Sequence, residues 1–409
     1  MDIEEARKEI NCIDEEMAKL FERRMKLVGE ISREKKEKGL PVLDSAREKA
    51  LVEKNKAFIS DPGLIPYYTR FETGMISLSK EYQKGKNRIV FGDGVLSSFG
   101  REFPLSGRAA VITGKGVPPK YAEAVRASLT DCETFLHTVT DGEEGKTVEN
   151  ASKILSVLFE DGLTRADSVV AVGGGSLLDL VGLTCAVFGR GIPCYYVPTT
   201  LLSQADASVG GKTAVNFGGV KNSVGCFALP AGVMIDVSTL SSLPERQFES
   251  GMAEIIKIAA VLDAGLFEML EKGEGELTEI IKRAVGLKNE IVGLDFRDEG
   301  TRRVLNFGHT VGHAVEMAEG LLHGEAICPG MLCMSEGEAK DRLTALISRH
   351  GLPTSINTNA NALLPLVMKD KKGEGKKINC IICDRIGSYR TEKLDAEEIS
   401  ARIGRITKG

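Results

Sequence analysis

Apolar residues in the first 38 positions recur at intervals of three and four, which puts them on one face of an α-helix. Charged residues fill the positions between them. The apolar positions are Ile3, Ile10, Ile13, Met17, Leu20, Phe21, Leu27, Val28 and Ile31. Gly39 and Pro41 end the pattern. The sequence therefore predicts one long amphipathic helix at the start of the chain.

Two further helices are predicted in the next 45 residues or so. One begins near Asp44, a residue suited to cap a helix, and runs to about residue 59. A turn of sequence Asp-Pro-Gly at 61–63 separates it from a third helix over about 64–83, and the polar segment YQKGKNR (82–88) indicates a linker. Residues 1–85 are thus predicted to form a three-helix, all-α module whose apolar stripes need a partner.

From Ile89 onward the pattern changes to short β-branched runs that alternate with helical stretches. The clearest runs are AAVIT (109–113), SVVAVGGG (168–175) and CYYVPTT (194–200). This alternation predicts a parallel-sheet α/β nucleotide-binding domain over 86–240. Amphipathic helices dominate after about residue 240, which predicts a mostly helical domain over 241–409. The crevice between these two halves is the expected ligand site.

Composition and charge narrow the class of protein. The chain has 409 residues, 42% of them hydrophobic, and a formal net charge of −5, so no strongly basic surface suggests a nucleic-acid partner. No apolar run has the length of a membrane span, and the acidic start MDIEEARKEI lacks a signal sequence, so we expect a cytoplasmic enzyme.

The spacing of the cysteines indicates buried side chains rather than disulfides or a metal site. Nine cysteines at irregular spacing do not resemble a secreted disulfide framework. Cys380 and Cys383 lie in the apolar run KKINCIICDR, which predicts a buried strand. Because residues three apart on a strand point to opposite faces, the pair is badly placed to share a metal.

A glycine triplet indicates a nucleotide site. Gly173, Gly174 and Gly175 directly follow an apolar strand, and Asp179 lies one turn into the helix predicted behind them. Glycines let the backbone approach a diphosphate closely, and a helix N-terminus offers free N–H groups to an anion. The pattern is not GxGxxG, so a standard Rossmann dehydrogenase is not implied.

Histidines and one glutamate suggest a metal centre. Three of the five histidines fall between 309 and 323; His309 and His313 are four apart and would share a helix face, while His323 follows a short break. Glu254 lies in an otherwise apolar helical segment, where an unpaired carboxylate is costly. Two imidazoles and a carboxylate suit catalytic zinc, or cobalt, but spacing leaves open whether His309 or His313 is the ligand.

Several cations stand among glycine or apolar residues rather than in polar segments. They are Arg190, Lys212, Lys221, Lys257, Lys288 and Arg302. A group of fixed cations near a metal suits a substrate that carries phosphate or carboxylate groups.

Residues 88–409 resemble 3-dehydroquinate synthase through long motifs in order. These motifs are GGGSLLDLVG, RGIPCYYVPTTLLSQADASVGGKTAVN, KNSVG, LPERQFESGMAEIIK, LNFGHTVGHAVE and LHGEA. The resemblance implies the fold described above, with NAD as cofactor, zinc or cobalt as metal and a homodimer as the assembly. It assigns Glu254, His309 and His323 as metal ligands and makes His313 a substrate-side acid/base.

The resemblance also implies the remaining contacts. Catalytic groups besides His313 would be Asp298 and Lys257. Cofactor contacts would be Glu143, Lys146, Gly173, Gly174, Gly175, Asp179, Thr199, Thr200 and Lys221. Substrate contacts would be Asp206, Lys212, Asn222, Lys288, Arg302 and Asn306, with Lys371 or Lys372 closing over the phosphate and Arg190 reaching the phosphate of a neighbouring subunit.

The implied reaction converts 3-deoxy-D-arabino-heptulosonate 7-phosphate to 3-dehydroquinate. By resemblance, NAD oxidises a hydroxyl that zinc polarises, phosphate is eliminated, the hydride returns, and the ring opens and recloses by an aldol step. Another sugar-phosphate cyclase or a polyol dehydrogenase is the alternative within the superfamily.

Two segments depart from the family pattern. Thr113-Gly114-Lys115-Gly116 stands where the family usually has Thr-Asp-x-Asn, so the acid and amide that hold the adenosine part are missing at these positions. The family favours glutamate at the positions of Phe296 and Asp298; Asp298 keeps a carboxylate on a shorter arm.

Residues 1–85 resemble the all-helical type of chorismate mutase. The matching positions are Arg7, Arg24, Lys35, Asp44, Arg47, Glu48, Ser79 and Gln83. The resemblance implies that arginines clamp the two carboxylates of chorismate while Lys35 and Gln83 donate to its ether oxygen, and that Arg7 serves the other subunit's site. The alternative is a regulatory module that binds without catalysing.

Overall fold

The computed structural model describes residues 2–37, 45–84, 88–369 and 377–408, and the chain divides into two compact units, Met1–Arg88 and Ile89–Gly409. The first unit contains the helices α1 (Ile3–Glu37), α2 (Ser45–Lys56) and α3 (Ile65–Lys84). Asp61 begins the turn before α3, and its side chain accepts a hydrogen bond from the N–H of Gly63 at 2.8 Å. The predicted all-α module is confirmed.

Helix α1 lies against α3 through one part of its surface only. Val28 of α1 and Ile76 of α3 are buried, each 7% exposed. Much of the apolar stripe that the sequence predicts remains exposed along α1, including Ile10, Met17 and Leu20. The described helices of this unit, over 3–37, 45–56 and 65–84, therefore leave an apolar face uncovered.

The second unit begins with a six-stranded sheet of order β1-β8-β5-β4-β2-β3. Its strands are β1 (Arg88–Gly92), β2 (Gly107–Gly114), β3 (Cys132–Val139), β4 (Ser168–Gly173), β5 (Cys194–Pro198) and β8 (Gly232–Asp236). β3, β2, β4, β5 and β8 form parallel ladders. Every residue of β4 is buried, as expected of a central parallel strand covered on both faces.

Short helices connect these strands and cover the sheet. They are α4 (Phe99–Glu102), α5 (Pro119–Ser128), α6 (Val148–Glu160) and α7 (Gly175–Val187). A π-helical turn, Ser203–Ala207, follows β5. The carboxyl ends of the parallel strands thus carry the glycine turn after β4 and this π-helical turn side by side.

A hairpin of β6 (Lys212–Phe217) and β7 (Val220–Phe227) stands apart from the main sheet and is not predicted by the sequence pattern. Gly218 and Gly219 form its two-residue turn with φ of +61° and +75°, a conformation that suits glycine. All eight residues of β7 are exposed, which explains why no apolar run marks this strand.

The remainder of the second unit is mostly helical, as predicted. Its helices are α8 (Glu245–Leu262), α9 (Ala264–Lys272), α10 (Leu277–Leu294), α11 (His309–Glu319), α12 (His323–Cys333), α13 (Gly337–Arg349), α14 (Ala360–Lys369) and α15 (Ala396–Gly404). α8 is buried from Ser250 to Val261. A side chain at Gly324 of α12 would overlap the backbone of Ser250, so the glycine permits close approach of α12 to α8.

An antiparallel pair, β9 (Ile378–Ile382) and β10 (Arg390–Leu394), completes this half. Cys380 and Cys383 are both fully buried, so the predicted buried strand is confirmed. None of the nine cysteines, all of which lie in described segments, forms a disulfide, and only Cys12 and Cys226 are exposed. In the described part of the chain, no helix has the length and apolar character needed to cross a membrane.

Candidate active site

The structure brings together one carboxylate and two imidazoles from three helices. Glu254 lies in the buried middle of α8, while His309 and His323 are the first residues of α11 and α12. The Nε2 atoms of His323 and His309 lie 3.4 and 3.8 Å from Glu254 Oε1, and the three ligand atoms all lie within 4.8 Å of one another. Ligands of a tetrahedral metal with bonds of about 2.1 Å lie about 3.4 Å apart. The cluster therefore has the dimensions of a metal site.

Hydrogen bonds orient both imidazoles for that role. His309 Nδ1 lies 3.1 Å from the carbonyl oxygen of Phe307, and His323 Nδ1 lies 3.1 Å from Glu316 Oε2. Each Nδ1–H donates to its oxygen, which leaves each Nε2 directed at Glu254. Oε1 of Glu254 is buried, and no described residue donates a hydrogen bond to it. A buried orphan oxygen between two imidazole nitrogens fits a divalent cation.

The electrostatics agree with the geometry. Burial opposes ionisation of Glu254, but Lys257 and the two imidazoles outweigh it and hold the pKa of this carboxyl well below its usual range. Burial, reinforced by Lys257, lowers the pKa of His309 well below its ordinary value, so the ring is neutral and available as a ligand. Burial lowers the pKa of His323, yet Glu254 and Glu316 outweigh burial and raise it to about 9, so a bound cation would displace that proton.

His313 lies beside this cluster without belonging to it. Its ring centroid is 5.1 Å from that of His309 and 6.0 Å from that of His323. It is exposed, whereas the three candidate ligands are not. The position suits proton exchange with a substrate at the mouth of the site.

Buried cations surround the cluster. Lys257 forms an ion pair with Glu254, and both side chains are almost fully buried. Lys288 Nζ lies 2.6 Å from Asp206 Oδ1, and burial lowers the pKa of Lys288. Arg302 is 3% exposed and donates to the carbonyl of Phe296 at 2.7 Å, and burial lowers its pKa as well. Cations held in this way favour an anionic ligand.

Asp298 adds a carboxylate to the same surface. It pairs with Lys212, and its other oxygen, Oδ1, is buried and accepts no hydrogen bond from the part of the chain that the structure describes. Its φ is +61°, a strained value for a residue other than glycine. A residue that combines a strained backbone with a buried carboxylate oxygen that accepts no hydrogen bond from the described residues is typical of a functional position.

The glycine turn forms as the sequence predicts. Gly174 precedes α7 as its N-cap, so the first N–H groups of α7 face the carboxyl edge of the sheet. The backbone N–H of Thr199 donates to the carbonyl oxygen of Gly173 at 3.0 Å. Oγ1 of Thr200 lies 2.9 Å from Oγ of Ser203. The turn after β5 is thereby held against the glycine turn.

The loop after β3 and the β6–β7 hairpin join this edge through polar side chains. Glu143 accepts from Ser176 Oγ at 3.1 Å and from Asn216 Nδ2 at 2.8 Å. Lys146 donates to both Asp179 and Asn222, each at 2.5 Å. Burial raises the pKa of Asp179, although Lys146 opposes this shift. These candidate cofactor contacts form one connected group.

The remaining predicted residues are Arg190, Asn306, Lys371 and Lys372. Arg190 is exposed and lies beyond the C-terminal end of α7, which runs from the carboxyl edge of the sheet to the opposite edge. The structure thus does not bring Arg190 to the site of its own chain. Asn306 is exposed, three residues before His309. Lys371 and Lys372 lie outside the described residues.

Two residues at the site were missed by the sequence analysis. Glu316 contacts His323 and pairs with Lys221 at 2.5 Å, and Asn216 holds Glu143. Glu316 follows His309 by seven residues, so its place on the same face of α11 was a usable signal. No sequence signal pointed to Asn216, since the β6–β7 hairpin that carries it was not predicted.

In the first unit, Arg24 of α1 donates to Ser79 of α3, so two predicted residues meet between helices. Arg7 pairs only loosely with Glu4, at 3.7 Å, and lies about 25 Å along α1 from Arg24 at 1.5 Å per residue. Lys35, Arg47 and Glu48 each make a hydrogen bond, an ion pair or another electrostatic interaction. Asp44 and the side chain of Gln83 lie outside the described residues.

Comparison with protein families agrees with this division of the chain. The N-terminal model of 3-dehydroquinate synthase matches residues 136–250 and its C-terminal model matches residues 251–373. The model of chorismate mutase type II matches residues 6–84.

Two solved structures share the fold of the larger unit. A 2-epi-5-epi-valiolone synthase from Streptomyces hygroscopicus subsp. jinggangensis 5008, with NAD+ and Zn2+ bound, is 28% identical with a TM-score of 0.72, and covers 78% of this chain and 96% of its own. A 2-deoxy-scyllo-inosose synthase complexed with carbaglucose-6-phosphate, NAD+ and Co2+ is 25% identical with a TM-score of 0.70, at 78% and 96% coverage. The larger unit thus has the fold of these two synthases.

Relatives in sequence narrow the class. A 3-dehydroquinate synthase from Pelobacter propionicus is 40% identical over 344 residues, which are 77% of this chain and 95% of the relative. Another from Enterococcus faecalis is 38% identical over 73% of this chain and 89% of its own. The chain belongs to the 3-dehydroquinate synthase family and carries a chorismate mutase type II domain at its N-terminus, as the motifs predicted. It is a bifunctional enzyme of the shikimate pathway.

Proposed function

We propose that residues 89–409 convert 3-deoxy-D-arabino-heptulosonate 7-phosphate to 3-dehydroquinate and phosphate, with catalytic NAD and a divalent metal, zinc or cobalt. The observation that carries the proposal is the buried cluster of Glu254, His309 and His323, with its orphan oxygen and its surrounding cations. The NAD-bound and metal-bound synthases of the same fold support the two cofactors.

NAD would accept and return a hydride, and the metal held by Glu254, His309 and His323 would polarise the oxygen at the oxidised carbon. The protein's own part is to fix the substrate between them. Lys257 and Lys288 are already buried, so they can bind a substrate carboxylate or phosphate without first losing their own hydration. Arg302 adds a planar donor to the same group.

Two groups are placed to move protons. His313 lies at the exposed side of the cluster and would take or give a proton on the substrate. Asp298 would serve as a second acid/base through Oδ1, which pairs with none of the described residues, while Lys212 holds its other oxygen. The sugar ring of the substrate would therefore lie between two acid/base groups. His313 would stand on the metal side, and Asp298 beside the cations proposed to bind the phosphate.

The position of Arg190 supports a homodimer. An arginine at the opposite edge of the sheet cannot complete its own chain's site, but it is exposed and available to a second copy. We propose that Arg190 contacts the substrate phosphate in the partner's site.

An assay of the purified chain tests the synthase. The protein is given the heptulosonate phosphate, NAD and zinc, and phosphate release and dehydroquinate are measured. We expect turnover that a chelator abolishes, that zinc or cobalt restores, and that His309→Ala removes. His137→Gln is the matched control, because His137 pairs with Asp161 outside the cluster. Phosphate release that persists both with the chelator and in His309→Ala would refute the assignment of Glu254, His309 and His323 as ligands of a catalytic metal.

The same assay separates the rivals. Another sugar-phosphate cyclase would turn over other phosphosugars faster than the heptulosonate phosphate, and a polyol dehydrogenase would accumulate NADH. A synthase that returns its hydride produces no net NADH. The chain is more similar in sequence to a 3-dehydroquinate synthase, at 40% identity, than to the two structural neighbours, at 28% and 25%. This difference favours the 3-dehydroquinate synthase reaction over that of another cyclase.

For the first unit, we propose conversion of chorismate to prephenate. Support comes from the family match and from the contact of Arg24 with Ser79, which fixes a cation between α1 and α3. A pericyclic rearrangement needs no nucleophile, only placed donors that stabilise the developing charge. Arg24→Ala and Lys35→Ala are expected to lower kcat/KM for chorismate by at least about 100-fold, with Lys19→Ala on an exposed face of α1 as control.

A regulatory role predicts a different result. A module that only binds would show no prephenate formation in the wild-type chain, and an aromatic amino acid would inhibit dehydroquinate formation. Prephenate formation that depends on Arg24 would exclude that alternative.

A further inference from the structure

The ring of Phe296 packs against the base of the β6–β7 hairpin. Its centroid lies 5.5 Å from that of Phe227, and the two ring planes are inclined by 58°. A side chain at Gly211, directly before β6, would crowd the Phe296 ring, so the glycine lets this ring lie against the backbone. The chain thus has an aromatic contact at a position where the family favours glutamate.

Asp298 contacts the same end of the hairpin two residues later. Its carboxylate pairs with Lys212, the first residue of β6. Lys212 and Phe227 are partners in the register of the two strands. Phe296 and Asp298 therefore hold the two members of one cross-strand pair, the first through its ring and the second through its carboxylate.

Hydrogen bonds close the segment 295–300, which carries both side chains. The carboxylate of Asp295 accepts from the backbone N–H groups of three later residues at 2.7 to 3.0 Å. The guanidinium of Arg302 donates to the carbonyl oxygen of Phe296 at 2.7 Å. Between these fixed points Asp298 has a φ of +61°, and such a backbone persists only where surrounding contacts outweigh its cost.

We infer that Phe296 is a positioning residue for Asp298. Its ring, seated on Phe227 and Gly211, keeps the segment 295–300 against the hairpin and so sets where the Asp298 carboxylate stands. The inference rests on the proposed function, in which Asp298 is an acid/base. Because aspartate is shorter than the glutamate that the family favours there, the reach of this carboxylate depends on the position of its backbone. Displacement of a reacting group by about 1 Å can lower a rate about 100-fold.

A ring that only stabilises the hairpin predicts a different pattern. The hairpin also holds Glu143 through Asn216 and Lys146 through Asn222, and both partners are proposed cofactor contacts. Displacement of the whole hairpin would therefore raise KM for NAD. Displacement of Asp298 alone lowers kcat and leaves KM for NAD unchanged, so the split between the two constants separates the roles.

The test measures steady-state dehydroquinate formation by the full chain with the heptulosonate phosphate, NAD and zinc. We expect Phe296→Ala to lower kcat about tenfold or more and to leave KM for NAD within about twofold of the wild type. Phe296→Tyr keeps the ring and should stay within about threefold of the wild-type kcat. Leu294→Ala is the control, because it removes an apolar side chain that is 76% exposed two residues earlier. An unchanged kcat in Phe296→Ala, or a KM for NAD that rises in step with the loss of kcat, overturns the inference.

A double-mutant cycle tests the route through Asp298. Single-turnover dehydroquinate formation is measured with enzyme in excess, so that slow variants remain measurable. Phe296→Ala in the Asp298→Asn background should change this rate less than about twofold, because the carboxylate that the ring positions is already gone. Losses that multiply would show that the ring acts independently of Asp298 and would contradict the inference. A wild-type chain that forms no dehydroquinate would instead refute the proposed function itself.

Discussion

At the scale of single residues, Glu316 links the proposed metal site to the β6–β7 hairpin. One oxygen meets His323 Nδ1 at 3.1 Å and the other meets Lys221 at 2.5 Å. Burial opposes its ionisation, but His323 and Lys221 outweigh burial and lower the pKa of Glu316 to about 2. The group is therefore a carboxylate that holds the imidazole of a proposed metal ligand in place.

We expect Glu316→Gln to weaken zinc or cobalt binding by about 10- to 100-fold, because an amide holds the imidazole less firmly and lowers its basicity. The measurement is competition with a chelator of known affinity, read by the absorption spectrum of the cobalt-loaded chain. Glu338→Gln on α13, 84% exposed, serves as control. Equal metal affinity in Glu316→Gln and the control would contradict this role.

Single residues also mark where sequence reasoning reached its limit. Glu254, His309 and His323 were assigned from motifs, and the structure places their ligand atoms together. That the carboxylate of Asp141 fills the space beside Gly114 could not be predicted in this way, since only the pairing of β2 (Gly107–Gly114) with β3 (Cys132–Val139) brings the two residues together. A contact made through parallel strands leaves no local pattern in the sequence.

At the scale of elements, the β6–β7 hairpin is the piece that joins the subsites. Its polar side chains each hold a different part of the site: Lys212 pairs with Asp298, Asn216 with Glu143, Lys221 with Glu316, and Asn222 with Lys146. The sequence predicted the helices and the buried strands but not this hairpin. Its strand β7 is exposed throughout, so alternation of apolar residues could not identify it.

The turn of the hairpin provides a test of that joining role. Gly219→Val should strain a residue with φ of +75° by roughly 1–2 kcal/mol and shift the hairpin, which we expect to raise KM for NAD several-fold. Gly219→Asn is the matched variant, because asparagine tolerates this conformation, and it should remain within about twofold of the wild type. Steady-state kinetics at varied NAD decide the matter; indistinguishable KM values for both variants would argue against it.

At the scale of the whole molecule, the sequence predicted a helical module, then an α/β part, then a mostly helical part, and the structure has folds of these types in this order. The sequence could not indicate how much of α1 its own unit would leave bare, since periodicity reports only that a stripe exists. The structure shows Ile3, Leu20 and Leu27 each more than half exposed on a 35-residue helix. So large an apolar face, together with the distance of Arg7 from Arg24, is what we expect of a helix shared between two copies.

We therefore expect Leu20→Glu to dissociate the first unit's pairing and to lower chorismate mutase activity at least about tenfold, because burying a carboxylate in an apolar interface is unfavourable. Lys19→Glu is the control, since its neighbouring position is already polar and exposed. Sedimentation velocity and the chorismate assay are run on the same samples. An unchanged oligomeric state together with unchanged mutase activity would refute the shared helix.

The distribution of thiols has a practical consequence. Seven of the nine cysteines are at least partly buried, and burial raises the pKa of Cys132 and of the deeply buried Cys328 and Cys333, which slows their reaction with alkylating reagents. Cys12 on α1 and Cys226 on β7 are the exposed pair, one in each unit. Maleimide dyes should therefore label these two positions first. Energy transfer between the dyes would report directly whether a ligand bound by one unit changes its distance from the other.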